Sequence, residues 1–437
     1  MPPATPRCTP PKTSGSTTVW RITRRAYMQE PIASGCPEQQ HRSERSALQG
    51  DIEGVICNLF HADSRRQHGD VRLHGTRYCK NAMVSIPPSV TPRPAKNAAK
   101  PWYRRKSRTV PLGVLSAGLV GAIIWVSNPW PAAMVIRSLF ELDAKRTVTE
   151  MEAFAPTADS LQSQLDVPYG DDGADTTFDL YSPAGTSEAL PTVVWIHGGA
   201  WISGGKQNVD PYVQILAAEG FTTVALNYTV APEATYPTAL TQLNDALAHL
   251  ITNAAAYNID PSRIILAGDS AGAQLASQLA TLATNPEYAE LVGLSPALAA
   301  DQLAGMVLNC GIYDVSGIPS APGLGGYGFR VALWAYQGDK DWATTPAGQE
   351  MSTLDYVTAD FPQTWISGGN ADPLTANQSQ PFAAKLQGLG VPVTTVFYPE
   401  NHEPALQHEY QFKLEGADAQ SALTSTINFL KSVTAPE

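Results

Sequence analysis

The stretch Ile264 to Gly272, written IILAGDSAG, constrains the fold of this chain more than any other. Apolar, β-favouring residues run into Gly268, Asp269, Ser270, Ala271 and Gly272, and a helix-compatible segment, AQLASQLATLA, follows at once. That order predicts strand, sharp turn and helix, with Ser270 at the apex. Small residues two positions either side of the serine let the strand and helix backbones pass closely, and the turn holds the hydroxyl clear of the sheet. Ser270 is therefore the candidate nucleophile. In a chain with 34 glycines a bare G-x-S-x-G also arises by chance, so its weight depends on what flanks it.

The flanks alternate. Strands are predicted over 176–181, 192–196, 222–227, 263–267, 303–309, 363–366 and 393–398. Helices are predicted over 209–219, 238–257, 378–388 and 416–434, and helical spacing of Leu139, Leu142 and Val148 extends one over 137–164. The run Thr192 to Ile196 is nearly all apolar, as a strand buried on both faces should be. Alternation of this kind calls for an α/β fold with a mostly parallel sheet and helices on both faces.

Charge divides the chain near residue 110. The 437 residues carry a net charge of −11, yet residues 1–110 hold 19 Lys/Arg against 7 Asp/Glu, and the remainder 10 against 33. The acidic part gives no support to nucleic-acid binding. The basic charges are scattered among Pro, Ser and Gln without aromatic interleaving, so no nucleic-acid partner is expected there either. Residues 1–109 form a basic segment without useful periodicity, expected to be disordered, and Met83 opens what resembles the N-terminus of a membrane protein. Seven basic residues gather between Arg93 and Arg108, and the uncharged run Val110 to Ile136 follows. The expectation is a single transmembrane anchor over 110–136, N-terminus in the cytoplasm and catalytic domain outside; the alternative is secretion after signal cleavage. A linker or helix at 137–164 then leads to a catalytic domain at 165–437. Only Cys310 lies in the acidic part, so no disulfide within it is expected.

The strand ending at Ile196 leads into His197, Gly198, Gly199, Ala200 and Trp201. Two glycines there let backbone N–H groups turn outward, as an oxyanion hole requires, and Ala271 can supply a further N–H. Gly198, Gly199 and Ala271 are the candidate donors, with His197 beside them in a structural role. Asp372 follows a predicted strand and Gly368–Gly369, which sets it at a strand's carboxyl end where such sheets gather reacting groups. Asp314 is the second choice of acid. His402 and His408 lack paired zinc spacing, and neither a metal nor a cofactor is expected.

Together, HGGAW, NYTVAPEATYP (Asn227 to Pro237), DPSRIILAGDSAG (Asp260 to Gly272) and GGNADPL (Gly368 to Leu374) resemble the hormone-sensitive-lipase-like branch of the α/β-hydrolase superfamily over about residues 165–435. The resemblance implies an α/β-hydrolase fold and a serine esterase or lipase acting through an acyl-enzyme, in the order nucleophile Ser270, acid Asp372, base histidine. The chain differs from the branch pattern at Thr229, Ala273, Thr375, Ala376, Glu403 and Pro404. That order leaves His402 and His408 for the base. His402 is expected to serve, because it follows the predicted strand by a few residues, while His408 is expected to lead into the last helix. The substrate is then a small-molecule or lipid ester. An amidase or formamidase would use the same machinery, and a non-catalytic binding module is the reading from a different class. The insertion 317–350 carries Phe329, Leu333, Trp334, Tyr336 and Trp342, which would either line an acyl pocket under a lid or simply pack.

Overall fold

Val193, Val194, Trp195 and Ile196 are all buried, and they alternate between two cores. Val194 and Ile196 face one, Val193 and Trp195 the other, which is the signature of a strand inside a sheet covered on both sides. A computed structural model describes residues 109–320 and 323–435, all within one compact unit that runs from Ala98 to Glu437. The disordered segment and the basic cluster expected before residue 109 lie outside the described residues.

Eight strands form one sheet: β1 (Leu161–Pro168), β2 (Thr177–Pro183), β3 (Leu190–Ile196), β4 (Thr222–Leu226), β5 (Ile259–Asp269), β6 (Leu303–Asn309), β7 (Thr364–Gly368) and β8 (Val393–Phe397). Their order is β1-β2-β4-β3-β5-β6-β7-β8. The first two neighbour pairs are antiparallel and every later pair is parallel. All strands from β3 onward therefore present their carboxyl ends at one edge, and the loops after β3, β5, β7 and β8 converge there.

Among the described residues ten α-helices accompany the sheet: α1 (Thr109–Ser127), α2 (Trp130–Glu152), α3 (Asp210–Ala218), α4 (Thr238–Thr252), α5 (Ala271–Thr284), α6 (Pro286–Val292), α7 (Gly323–Gln337), α8 (Pro346–Glu350), α9 (Gln380–Gly388) and α10 (Ala417–Val433). Leu240, Leu243, Leu247 and Leu250 recur at helical spacing in α4 and bury one stripe against the core shared with α5, α7 and α9. Helices α3 and α10 cover the opposite face, where Tyr212, Leu216, Phe429 and Leu430 pack around Trp195 and Trp365.

Two features at the N-terminal side differ in form from the sequence reading. The uncharged run 110–136 is split between two helices that meet at 77°. Pro129 lacks the N–H that a continuous helix needs, and Asn128 accepts from the backbone N–H of Trp130 (2.9 Å), so the chain turns and starts afresh. Among the described residues no single helix is long and apolar enough to cross a membrane, although Gly118–Ser127 and Trp130–Glu152 reach that length and composition together. The helix expected to run to residue 164 ends at Glu152; a loop with a 3-10 turn at Ala158–Ser160 follows, and β1 begins at Leu161. Strand β1 is largely exposed and polar, so only its pairing with β2 reveals it.

Arg137 ties α2 to the domain. Its Nε donates to the carbonyl of Ile202 (2.5 Å), Nη2 to the carbonyl of Ala231 (2.6 Å), and Nη1 and Nη2 to the Glu233 carboxylate. Arg137→Ala strands two buried carbonyls and should lower unfolding stability by about 2 kcal/mol, measured by urea denaturation. The same variant should become sensitive to protease between α2 and β1.

Candidate active site

Ser270 occupies a strained turn, with φ 50° and ψ −116°, between the end of β5 and the first residue of α5. The two flanking glycines are dictated by space. A Cβ on Gly268 would lie 2.5 Å from the Gly272 carbonyl carbon, and one on Gly272 would lie 2.0 Å from the Ile196 oxygen. The Ser270 N–H donates to the Asn309 carbonyl at 2.8 Å, fixing the turn against β6. The hydroxyl thus stands at the N-terminus of α5, where unpaired N–H groups and the helix dipole favour negative charge.

His408, not the expected His402, meets that hydroxyl. Its Nε2 lies 3.0 Å from Ser270 Oγ and its Nδ1 lies 2.9 Å from Asp372 Oδ2. Asp372 is buried, and its other oxygen accepts the Leu374 N–H at 2.9 Å. Burial works against a charged imidazole, but the Asp372 carboxylate prevails and raises the His408 pKa well above its ordinary value, with Cys310 and Glu409 acting in the same direction. His402 is turned away. Its N–H closes a tight turn onto Pro399 and its Nε2 sits 3.1 Å from Asp418 on the first turn of α10, so the roles expected of the two histidines are exchanged.

The path of the chain explains the exchange. Beyond His402 the loop lies over the segment following β7, where the Leu406 N–H donates to Asn370 Oδ1 (2.8 Å) and the Leu406 carbonyl accepts from Ala371 (2.9 Å). A Cβ on Gly369 would come within 2.2 Å of that carbonyl. Only after this crossing does the chain reach the serine. Glu409, immediately after His408, has φ 58°, the left-handed conformation that glycine favours, and this is the turn that presents the imidazole. A search for a turn-forming position right after a histidine would not have found it, because a glutamate stands there.

The glycine turn after β3 differs from expectation at one position. The Gly198 N–H donates to Asp269 Oδ2 at 2.8 Å and is withdrawn from any oxyanion. Gly198 instead supplies room, since a Cβ there would lie 2.3 Å from the same oxygen. Gly199, at φ 108°, and Ala271 remain as candidate donors, and Ala200, unrecognised in the sequence, lies beside Gly199 on the cavity wall. His197 braces the turn as expected. It is buried, stacks on Tyr228 with ring centres 4.3 Å apart, and its Nδ1 is 2.8 Å from the Gly198 carbonyl oxygen. Burial pushes its pKa down to about 4, so it is a neutral ring at ordinary pH.

These groups open onto a cavity of about 220 Å³, walled by Phe140 and Ala144 of α2, Phe329 of α7, and Phe412. Of the five aromatic or apolar residues singled out in the insertion, Phe329 reaches this cavity. Leu333, Tyr336 and Trp342 are buried in the core, with Tyr336 stacked on Trp201 at 5.5 Å, and Trp334 lies under the Lys340 ammonium. Asp314 bonds the hydroxyl of Ser316 and the N–H of Gly317, a turn cap rather than a partner for histidine. Cys310, Asp372 and His408 carry ligand atoms within 4.8 Å of one another. Both imidazole nitrogens there are already committed, one to Asp372 and one to Ser270, and burial pushes the Cys310 thiol up to about 11.

A family model described as BD-FAE matches residues 178–386. The chain is 28% identical over 221 residues to the putative alpha/beta hydrolase R526 of Acanthamoeba polyphaga mimivirus, covering 50% of this chain and 61% of that one. It is 28% identical over 240 residues to the esterase LipQ of Mycobacterium tuberculosis, covering 54% and 55%. The chain thus spans a little over half the length of these relatives. Esterase B from Lactobacillus rhamnosis superposes with a TM-score of 0.60 at 22% identity, covering 70% of this chain and 96% of that one, which shows a shared fold. Sheet order, strained serine turn and these comparisons agree on an α/β-hydrolase fold, and the sequence is similar to esterases.

Proposed function

We propose that the protein is a serine hydrolase that cleaves carboxylic esters through an acyl-enzyme, with Ser270 as nucleophile, His408 as base and Asp372 as the group that orients the base. The observation that carries this reading is the unbroken chain from Asp372 Oδ2 through both imidazole nitrogens to Ser270 Oγ, with contacts of 2.9 and 3.0 Å. His408 Nε2 takes the serine proton as Oγ adds to the ester carbonyl. The N–H groups of Gly199 and Ala271 receive the negative charge that develops on the carbonyl oxygen, helped by the N-terminus of α5. The imidazolium then protonates the departing alkoxide, and water repeats the sequence in reverse to free the acid. A cavity of about 220 Å³ suits a short acyl chain better than a long one. The name of LipQ, an esterase, supports the same class.

The anchor belongs to this reading too. Every residue from Gly118 to Ser127 is exposed, including Leu119 (64%), Val120, Ile123 and Val126, an apolar surface that water does not favour. With the basic cluster ahead of it in the sequence and Trp125 and Trp130 beside the bend, α1 together with the start of α2 is read as the membrane anchor, with the hydrolase unit on the outer side. Protease added to intact cells should remove the hydrolase unit and spare an N-terminal tag. Carbonate extraction should leave the protein in the membrane pellet, and release into the supernatant would refute an embedded α1.

Ser270→Ala and His408→Ala should each lower kcat for p-nitrophenyl acetate by about 10⁴-fold or more, whereas His402→Ala should stay within about threefold. Equal losses at both histidines, with folding intact, would contradict this division of roles. The pH dependence follows from Asp372. Because its carboxylate stabilises imidazolium, the neutral base forms only at higher pH, so kcat/KM should rise with a midpoint above about 6.5. Asp372→Asn should move that midpoint to lower pH while cutting kcat by about 10⁴-fold.

A further inference from the structure

The cavity onto which Ser270 and His408 open is lined by acids. Its ionisable groups among the described residues are Glu141, Asp143, Asp269, Glu409 and the base His408, with no lysine or arginine. Asp269 is already engaged, since its oxygens accept the Trp195 indole N–H and the Gly198 backbone N–H, each at 2.8 Å. The other three approach from two directions, Glu141 and Asp143 from α2 and Glu409 from the loop after β8, with Glu409 Oε1 3.7 Å from His408 Nε2. Basic side chains nearby are held elsewhere: Arg137 on Glu233, Arg146 on Glu150, and Lys413 on Glu150 and the Thr147 hydroxyl. Lys145 and Arg330, next in the chain to wall residues, do not line the cavity. Three phenylalanine rings complete the wall. Phe412 is buried and set edge-on against Tyr212, ring centres 5.2 Å apart, Phe140 shares a turn of α2 with Glu141 and Asp143, and Phe329 comes from α7. A cation is attracted by an aromatic face within about 6 Å and by a carboxylate, most strongly where walls reduce the access of water. A neutral ester gains from the rings alone, and an anionic one is repelled.

The position of Glu409 decides which half of the ester carries the charge. In ester cleavage the departing oxygen takes its proton from His408 Nε2, so the alcohol half lies beside that nitrogen. Glu409 Oε1 is 3.7 Å from the same atom, which puts a charge a few bonds beyond the departing oxygen within its reach. We propose that the cavity takes esters of small amino alcohols, with the ammonium group held by Glu409, Glu141 and Asp143 against the phenylalanine rings. Ser270 Oγ bonds to the acyl carbon, the bond from that carbon to the alcohol oxygen breaks, and the oxygen leaves with the proton from His408. Water then releases the carboxylic acid from Ser270. The ammonium keeps its charge throughout, so the three carboxylates act on binding and on the placing of the leaving group, and take no proton. A volume of about 220 Å³ keeps both halves of the ester small.

The choice of substrate rests on the esterase reading; the affinity of the cavity for a cation does not. The full chain is assayed with three acetate esters of similar size: acetylcholine, its uncharged counterpart 3,3-dimethylbutyl acetate, and the anionic 2-carboxyethyl acetate. The value of kcat/KM should fall in that order, with acetylcholine ahead of the uncharged ester by about tenfold or more at low salt and by less at high salt. In Glu409→Gln, and in the double variant Glu141→Gln with Asp143→Asn, the ratio of acetylcholine to the uncharged ester should drop by about three- to tenfold, with folding checked by circular dichroism. Asp301→Asn should keep that ratio within about twofold, because Asp301 is exposed just before β6, at the opposite edge of the sheet. That comparison separates the wall from the acidic character of the whole domain. Calorimetric titration of Ser270→Ala with choline reads the cavity without turnover and should show binding that the double variant weakens. Equal kcat/KM for acetylcholine and the uncharged ester, no choline binding, or a ratio lowered as much by Asp301→Asn as by the wall variants overturns the proposal. Choline binding without cleavage of any ester would overturn the esterase reading alone.

Discussion

The packing of Gly272 against the Ile196 and His197 carbonyls is the constraint on which the rest of the site depends. A Cβ there would need to sit 2.0 Å from an oxygen, so the helix that follows Ser270 can lie directly over the end of β3 only because the residue is glycine. That approach brings the glycine turn after β3 beside the serine. It also compresses the strand-to-helix turn into a conformation at Ser270 that costs about 1–3 kcal/mol and is held by the buried sheet on either side. Strand β5 lies between β3 and β6, and the Ser270 amide is bonded to the β6 end, so the strain is supported from both neighbours.

Around that turn the electrostatics divide into two opposed arrangements of carboxyl groups. Asp372 is buried with one oxygen on a backbone N–H and the other on His408, so its charge is used to favour imidazolium. Asp269, the residue before the serine, is buried with its oxygens on the Trp195 and Gly198 N–H groups, and burial together with the nearby Glu409 raises its pKa well above the usual carboxylate range.

What could be read from the sequence was local. The strand, serine turn and helix around Ser270, the strand ahead of Gly198, and Asp372 at the end of β7 each depend on residues within a few positions of one another, and periodicity or turn chemistry reveals them. The base was not of this kind. His402 is nearer in sequence to the strand, but the path of the loop across Asn370 and Leu406 decides which imidazole arrives, and that path is set by contacts with another loop. Gly198 was misjudged for a related reason. Its N–H points outward as expected, yet a carboxylate 71 residues away in sequence takes it. Strand β1 carries little apolar pattern because it is an edge, and the break after Ser127 was visible only as Asn128 and Pro129 within an otherwise uncharged run.

The cavity wall has a different origin from the chemistry it encloses. Ser270, Asp372 and His408 come from the ends of the sheet, whereas Phe140 and Phe329 come from α2 and α7, which pack on each other outside the sheet. Trp125, near the end of α1, donates to the Tyr327 hydroxyl of α7 at 3.1 Å, so the apolar N-terminal helix and the insertion touch. The core residues cannot change without disturbing the serine turn. The wall can, because its side chains answer to neighbours on helices rather than to the sheet. Chemistry and selectivity are therefore separable here: the glycines and carboxyls at the sheet edge fix what reaction is possible, and the two helical segments shape what reaches it.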